Sequence, residues 1–131
     1  MRYLLLPYSD RIPFINKMID DERIGKAKKF IHENYYKLIY LEEVASVACL
    51  SKYHFCRLFK AETGYSFINY LFIFRIEKSK ELLMNKNLTI GHISDVLGFA
   101  SKSQYHKVFK ARVGVTPLKF RKEEISRLSF K

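Results

Sequence analysis

Two stretches of the chain carry basic side chains at the same spacing, 50 residues apart. Residues 51–64 and 101–114 align without a gap, and their identical pairs are Ser51/Ser101, Lys52/Lys102, Phe59/Phe109, Lys60/Lys110, Ala61/Ala111 and Gly64/Gly114. Steps of 100° per residue place the apolar positions of each stretch on one side of a helix and the polar positions on the other. A face of this kind offers the amino and guanidinium groups that bind guanine bases and phosphates.

The outward-facing positions of the two stretches are the candidate binding residues. In a helix-turn-helix the amino-terminal end of the second helix meets the bases, and this rule selects as base readers Lys52, Tyr53, Cys56, Arg57, Ser103, Gln104 and Lys107. Arg and Lys donate to guanine, Gln pairs with adenine, and Tyr or Ser contacts phosphate or a thymine methyl group. Lys60 and Lys110 lie one turn further along and are candidate phosphate contacts. Lys102 and His106 complete the predicted DNA-binding set.

A shorter repeat precedes each basic stretch and defines the motif. Leu41-x-x-Val44-Ala45 is matched by Ile90-x-x-Ile93-Ser94, at an offset of 49 residues instead of 50. The second copy therefore carries one extra residue in its turn, near Gly98-Phe99. A short helix, a tight turn and a second helix form a helix-turn-helix, and the sequence predicts two of them.

The composition indicates a polyanion as partner. The 131 residues contain 24 Lys and Arg against 13 Asp and Glu, a net charge of +11. Such an excess points to nucleic acid or to an anionic membrane surface. Because the cations are interleaved with apolar residues along the whole chain, and no stretch approaches 18 uncharged apolar residues, we expect no membrane partner. Two cysteines make no disulfide framework, and with no targeting segment a cytoplasmic protein is predicted.

The elements that position these residues are all predicted to be helical. The pattern turns helical from about Asp21, where Ile24, Ala27, Lys28, Ile31 and Tyr35 fall at three- and four-residue steps. No Pro lies between Pro13 and Pro117, and no segment alternates as a strand would. We therefore predict an all-α fold of about seven helices, with residues 1–20 as a tail or linker. Residues 21–128 form the DNA-binding domain, divided into subdomains 21–64 and 89–128 and a linker helix at 66–85.

The helix boundaries and the linker helix follow from capping residues. Ser66, Thr89 and Thr116 are predicted to cap helices, and Ser101 with Gln104 forms a capping box. Two apolar stripes on the linker helix, Phe67/Tyr70/Leu71/Phe74 and Ile68/Phe72/Ile76/Ser79/Leu83, predict burial on two sides. About 20 residues span about 30 Å, close to the ~34 Å between major-groove openings on one side of a duplex. One chain is thus expected to place two recognition helices in adjacent grooves as a monomer, and a homodimer is left open.

At these residues the chain resembles the DNA-binding domain of the AraC/XylS family of bacterial transcription regulators. The signature, as it stands here, is Ile90-x-x-Ile93-Ser94-x-x-Leu97-Gly98-Phe99-x-Ser101-x-Ser103-x-Tyr105-x-Lys107-x-Phe109-Lys110-x-x-x-Gly114-x-Thr116-Pro117-x-x-Phe120-Arg121. The resemblance covers about residues 22–122. It implies seven helices, two helix-turn-helix units joined by a long helix, and promoter binding that recruits RNA polymerase.

The sequence departs from the family pattern at a few positions. Ser79 and Ser94 stand where the family usually has Ala, and Tyr105 stands where it usually has Phe. Phe72 and Phe74 replace common basic residues of the linker helix, and Cys56 replaces a frequent polar reader. Arg75 matches the family's linker arginine, either as a structural residue or as a DNA contact. The chain resembles either a small standalone member of the family or a fragment of a larger regulator.

Other functions leave weaker signals. No nucleophile, phosphate-loop or paired-carboxylate pattern is present, so neither an enzyme nor a cofactor is expected. Cys49, His54, Cys56 and His106 lack metal-ligand spacing, whereas Cys56 beside Arg57 is a weak candidate for redox control. The leading hypothesis is sequence-specific binding of double-stranded DNA for transcription regulation. The alternatives are a protein-interaction module docking on RNA polymerase or another regulator, and non-specific nucleic-acid packaging.

Overall fold

The sequence pattern of apolar steps and capping residues produces seven α-helices over residues 21–129, which are the residues that the computed structural model describes. The helices are α1 (Asp21–Asn34), α2 (Leu41–Val47), α3 (Lys52–Thr63), α4 (Phe67–Leu83), α5 (Ile90–Val96), α6 (Lys102–Val113) and α7 (Pro117–Ser129). Within this range there is no strand, so the all-α prediction is confirmed. None of these helices is long and apolar enough to cross a membrane. The tail or linker predicted for residues 1–20 lies outside the described residues.

The predicted capping residues define the starts of three helices. The hydroxyl of Thr89 accepts a hydrogen bond from the backbone N–H of His92 at 3.0 Å, and Ser66 accepts one from Asn69 at 3.2 Å. Thr116 does the same for the helix that opens with Pro117. Such bonds satisfy N–H groups that have no partner inside the helix.

The capping box predicted at Ser101 differs in one bond. The Ser101 hydroxyl accepts from the N–H of Gln104 at 3.0 Å, as expected. The side-chain oxygen of Gln104, however, accepts from the N–H of Ala100 at 2.8 Å, not from Ser101 itself. The reason is the turn before α6, which brings the N–H of the preceding residue into reach. The side-chain oxygen of Gln104 is therefore engaged by the backbone, whereas no such bond from the described residues holds its amide nitrogen.

The chain divides into two compact units. The first contains the described residues up to Asn34 together with Ile39–Tyr70, and the second contains Tyr35–Leu38 and the residues from Leu71 onward. Two expectations are corrected by this arrangement. Tyr35 was assigned to the first helix, but α1 ends at Asn34 and Tyr35 packs against the core of the second unit. Ile68 was assigned to a buried stripe, but its side chain is 47% exposed.

Aromatic side chains form the centre of the first unit. Phe55 and Phe59, both on α3 and fully buried, have ring centroids 5.2 Å apart. Phe59 packs edge-on against Tyr70 at 5.1 Å, and Phe55 meets Phe67 at 6.3 Å. Edge-to-face and tilted arrangements at these distances add stabilisation beyond area burial. The inner face of α3 is fixed by these contacts, which leaves its other face outward.

The core of the second unit has the same plan. Its buried cluster contains Ile76, Leu83, Ile93, Leu97, Phe99, Tyr105 and Phe109. Tyr105 and Phe109 occupy on α6 the positions that Phe55 and Phe59 occupy on α3, and all four are fully buried. The inner face of α6 is therefore fixed in the same way.

The hydroxyl groups of Ser79, Ser94 and Tyr105, the three buried departures from the family pattern, all form hydrogen bonds. The hydroxyl groups of Ser79 and Tyr105 are bonded to each other, and both residues are fully buried. Burial raises the pKa of Tyr105 above its ordinary value near 10. The hydroxyl of Ser94 donates to the carbonyl of Ser101 at 3.2 Å. Each added hydroxyl thus has a partner, as buried polar groups require.

The turns of the two helix-turn-helix motifs differ in length, as predicted. Four residues separate α2 from α3, and five separate α5 from α6. Both turns use the left-handed backbone region, with φ 58° at Cys49 and φ 85° at Gly98. A Cβ atom added to Gly98 would lie 2.7 Å from the carbonyl carbon of Tyr36. The second turn therefore requires glycine, whereas the first tolerates a side chain.

Two arginines bond to the backbone inside the second unit. Arg75 is 4% exposed and donates from Nε to the carbonyl of Tyr35 at 2.8 Å and from Nη2 to that of Lys37 at 3.1 Å. Its guanidinium lies 5.4 Å from the ring centroid of Phe99. Burial lowers the pKa of Arg75 to about 10, so the group stays charged at neutral pH. Of the two roles considered for Arg75, these contacts support the structural one.

Arg121 joins α7 to the end of α4. Its Nε donates to the carbonyl of Leu83 at 2.7 Å, and its Nη2 donates to the carbonyls of Leu88 at 2.7 Å and Asn85 at 3.1 Å. The last carbonyls of a helix have no partner inside that helix. Arg121 supplies one, and it fixes the chain between α4 and α5 at the same time.

Candidate nucleic-acid interface

The outer face of α3 forms the first of two basic surfaces. This first basic surface consists of Lys52, Tyr53, Cys56, Arg57 and Lys60, and all five residues are exposed. Tyr53, Cys56, Arg57 and Lys60, with Ala61, line an open groove of about 420 Å³. No carboxylate lines this groove. The structure therefore places these five predicted residues together on one side of a single helix.

Arg57 is held by the tyrosine one turn before it. Its Nη1 donates to the hydroxyl of Tyr53 at 3.3 Å, and its guanidinium carbon lies 5.6 Å from the centroid of the Tyr53 ring. The ring is itself 67% exposed. A cation over an exposed aromatic face is restrained without being removed from solvent. Tyr53 was predicted as a reader, and its observed contact is with the neighbouring reader.

Lys52 forms an ion pair with a residue outside the predicted set. Its Nζ lies 3.3 Å from Oε1 of Glu42, on α2. A backbone hydrogen bond at the start of α2 and the bond from Lys52 both hold the pKa of the Glu42 carboxyl below its ordinary value. Glu42 is therefore ionised at neutral pH. The first basic surface thus carries a negative group at its amino-terminal edge.

The outer face of α6 forms the second basic surface, which consists of Lys102, Ser103, Gln104, His106, Lys107 and Lys110. All of these except Gln104, with Thr116, line a groove of about 480 Å³ that contains no carboxylate. Lys102, Ser103, Lys107 and Lys110 are exposed, whereas Gln104 and His106 are half-buried. Gln104 is the one predicted reader whose side chain also bonds to the backbone. Three lysines around one groove, Lys102, Lys107 and Lys110, give it a positive potential.

The cysteine and histidine side chains considered for metal binding are not brought together. In the described part of the chain no group of three His, Cys, Asp or Glu residues could hold a metal ion. Cys49 and Cys56 are both exposed free thiols. Cys56 lies on the first basic surface, so a base or phosphate there would meet its sulfur.

The two basic surfaces lie on the second helices of two helix-turn-helix motifs, which is the architecture of a class of DNA-binding regulators. Residues 44–123 match the family described as a helix-turn-helix domain. The chain belongs to this family, in its AraC/XylS-type group.

Similar proteins of known sequence or structure agree with this assignment. The chain is 33% identical over 100 residues to the Msm operon regulatory protein of Streptococcus mutans, which covers 76% of this chain and 36% of that protein. It is 31% identical over 109 residues to the bifunctional transcriptional activator/DNA repair enzyme AdaA of Bacillus subtilis, which covers 83% of this chain and 52% of that protein. This chain thus spans about a third to a half of the length of these relatives.

A solved structure at similar identity shows the same fold. The C-terminal domain of AraT, a response regulator from Geobacillus stearothermophilus, is 30% identical. It superposes with a TM-score of 0.72, over 77% of this chain and 84% of that chain.

The sequence reasoning missed one residue and one contact. Glu42 is not among the residues predicted from the sequence, although the repeat offset of 49 aligns it with Gly91 and so marks a difference between the two motifs. The spacing of Tyr53 and Arg57, four residues apart on a helix, was also a readable signal for a side-chain pair. The Glu42–Gly91 difference and the Tyr53–Arg57 contact each depend on two positions taken together, so an interpretation of single residues does not detect them.

Proposed function

We propose that this chain binds double-stranded DNA in a sequence-specific manner and thereby regulates transcription. The observation that carries the proposal is the duplicated surface. Two helices of equal length, α3 and α6, each bury two aromatic residues and expose a groove lined by cations and free of carboxylates. An α-helix of this kind fits the major groove of B-DNA. Membership of the helix-turn-helix family supports the same conclusion.

The residue roles follow the position of each side chain along its helix. The amino-terminal parts of α3 and α6 meet base edges, with Arg57 and Lys107 as the principal readers. Lys60 and Lys110 lie one turn further on and bind phosphate. The two recognition helices enter adjacent major grooves of one duplex, so a monomer suffices for binding.

The remaining partners follow from the proposed function. Promoter binding by a regulator of this family brings RNA polymerase to the DNA, and the protein acts where bacterial promoter DNA lies, in the cytoplasm. We assign the chain a binding role and no catalytic step. AdaA, whose name combines activation with DNA repair, is about twice as long as the part matched here.

The test begins with selection of duplexes from a random pool, followed by sequencing of the bound fraction. We expect a motif with two blocks about one helical turn, roughly 10 base pairs, apart. The selected duplex is then titrated against scrambled duplexes of equal length, and specific binding predicts a saturable preference of about 10³-fold or more. Equal affinity for all duplexes would instead indicate packaging. No saturable binding would indicate an interaction module.

A matched lysine variant controls for charge alone. Lys26 lies on α1, outside both basic surfaces, and pairs with Glu22. Lys26→Ala changes the net charge by the same amount as Lys60→Ala. Cognate affinity should fall in the Lys60 variant and stay within about twofold in the Lys26 variant, because only Lys60 lies on a basic surface.

A further inference from the structure

The two helix-turn-helix motifs have equivalent lysines, but within the described chain only the first motif has an acidic residue beside its lysine. Lys52 and Lys102 open α3 and α6 and occupy equivalent places in the repeat. Glu42 pairs with Lys52 at 3.3 Å, and the residue that aligns with Glu42 in the second motif is Gly91. Within residues 21–129, Lys102 has no acidic partner, and its groove contains none. The two lysines therefore occupy equivalent positions, but among the described residues only Lys52 is paired with a carboxylate.

The alignment of Glu42 with Gly91 is also supported by distance. A Cβ atom built on Gly91 would lie 4.0 Å from Cδ of Lys102 and would meet no closer atom. A side chain at position 91 therefore points along the lysine that opens α6, as Glu42 does for α3. Gly91 has no left-handed backbone that would exclude other residues. The second motif has room for the acidic residue, but its sequence has none.

An ion pair beside a DNA surface has a calculable effect on binding. A lysine that neutralises a phosphate releases condensed counterions, and each such contact adds about 0.9 to the slope of log affinity against log salt. A lysine already paired with a carboxylate must give up that partner or bring its negative charge to the DNA. In either case its contribution to the slope is smaller than that of a free lysine.

We propose that Glu42 is a positioning residue that withholds Lys52 from the DNA backbone, so that the second basic surface makes the stronger electrostatic contact. The inference rests on the proposed DNA-binding function. In this inference Lys52, which was predicted above as a base reader, contacts phosphate instead. It supplies a partial phosphate contact at the start of α3, whereas Lys102 supplies a full one at the start of α6. The two halves of the binding site consequently differ in their sensitivity to salt, and α6 is the electrostatic anchor.

The experiment measures the salt slope of affinity for the selected duplex in four single variants. Lys102→Gln should reduce the slope by about 0.9, and Lys52→Gln should reduce it by half of that or less. Glu42→Gln should steepen the slope by half a unit or more and tighten binding several-fold at 50 mM salt, because Lys52 becomes free. Gly91→Glu should flatten the slope by a similar amount, because it adds the missing carboxylate beside Lys102.

Two further variants separate this mechanism from other effects. Glu43 follows Glu42 on α2, is exposed, and accepts a hydrogen bond from the backbone of Tyr40. Glu43→Gln makes the same change in net charge without freeing Lys52, so its salt slope should equal that of the unmodified protein. In Glu42→Gln combined with Lys52→Gln, the steepening should disappear, because Glu42 acts through Lys52. Circular dichroism of each variant establishes that the helices are intact.

The outcomes are distinguishable from a failure of the proposed function. If the unmodified protein shows no saturable duplex binding, the proposed function itself is wrong. If it binds but Glu42→Gln and Gly91→Glu leave the slope unchanged, the role of Glu42 is wrong while DNA binding stands. Steepening that persists in the Lys52→Gln background would also overturn the inference, since the carboxylate would then act directly on phosphate.

Discussion

The guanidinium of Arg57 lies over the ring of Tyr53, 5.6 Å from its centroid, and donates a hydrogen bond to the tyrosine hydroxyl. The equivalent positions on α6 are Ser103 and Lys107, where no ring is present to support the cation. A restrained arginine loses less conformational entropy when it forms a bidentate contact with guanine. The first basic surface is thus organised by an internal contact that the second lacks.

Replacing Tyr53 should weaken cognate binding through Arg57. Tyr53→Ala removes both the ring and the hydrogen bond, and we expect an affinity loss of about two- to fivefold, the size of an exposed cation–π contact. Tyr53→Phe keeps the ring and should lose less than twofold. Affinities are measured by fluorescence anisotropy with the selected duplex. If Tyr53→Ala weakens binding equally in the unmodified protein and in an Arg57→Ala background, the tyrosine contacts DNA independently of Arg57.

Replacing either principal reader should relax sequence preference in one half of the site. Arg57→Ala and Lys107→Ala should each cost about 1–3 kcal/mol of binding free energy at the cognate duplex. A panel of duplexes with single base changes then identifies the affected position. Because the two readers lie on different helices, the affected positions should fall in different blocks of the motif. Unchanged cognate binding in low salt would contradict the assignment.

Replacing the phosphate-contacting lysines should act on all sequences alike. Lys60→Ala and Lys110→Ala should each flatten the salt slope by about one unit, since each removes one phosphate contact. Cognate and scrambled duplexes are titrated at three or more salt concentrations. A loss confined to the cognate duplex would show instead that the lysine reads a base.

The Ser79–Tyr105 pair should behave as a unit in stability measurements. Ser79→Ala or Tyr105→Phe alone leaves a buried hydroxyl without its partner and should cost about 1–3 kcal/mol of unfolding free energy. The double variant should be close to the unmodified protein, because both polar groups are gone. Urea denaturation followed by circular dichroism provides the double-mutant cycle. Additive losses would mean that the two hydroxyls are not coupled.

The same pair predicts a pH dependence of stability. The folded state raises the pKa of Tyr105 above its ordinary value near 10, so the folded protein holds this proton more tightly than the unfolded chain. The contribution is therefore fully present below pH 10 and is lost as the pH rises above it. The difference in unfolding free energy between the unmodified protein and Tyr105→Phe should shrink above that pH. A constant difference from pH 7 to pH 11 would contradict this expectation.

The turns offer a matched pair of backbone variants. Gly98→Ala should destabilise the protein by about 2 kcal/mol or more, because it places a Cβ in the left-handed region and 2.7 Å from the carbonyl carbon of Tyr36. Cys49→Gly should change stability by less than about 1 kcal/mol, since relief of the left-handed backbone is offset by a freer unfolded chain. Thermal unfolding measures both. Equal effects would mean that the Tyr36 contact is unimportant.

Much of this architecture was readable from residue spacing. The capping residues, the unequal turns and the inward aromatic pairs are local properties, fixed by neighbours within about five positions, and each could be predicted. The roles of Arg75 and Arg121 could not, because their partners are carbonyls 33 to 40 residues away. Ile68 shows the same limit, since a periodic pattern indicates which positions share a face but not how far a neighbouring element extends over it.

The sequence predicted which residues form the candidate site, but not the contacts that these residues make with their neighbours. Helical geometry alone places Arg57 and Lys60 outward, and the structure agrees. The pairing of Lys52 with Glu42 depends on the packing of α2 against α3, which sequence periodicity does not specify. The commitment of Gln104 to Ala100 depends on the conformation of the turn. Roles of individual readers therefore need the surrounding backbone as well as the helix register.

Because Arg121 binds three backbone carbonyls between the end of α4 and the start of α5, α7 stabilises the fold of the second unit. A proteolytic cut before residue 121 would separate Arg121 from these carbonyls and so release the end of α4, almost 40 residues upstream. Forms of this protein cut before residue 121 should accordingly lose binding to the second half of the DNA site first. The loss would occur although the removed residues do not themselves contact the DNA.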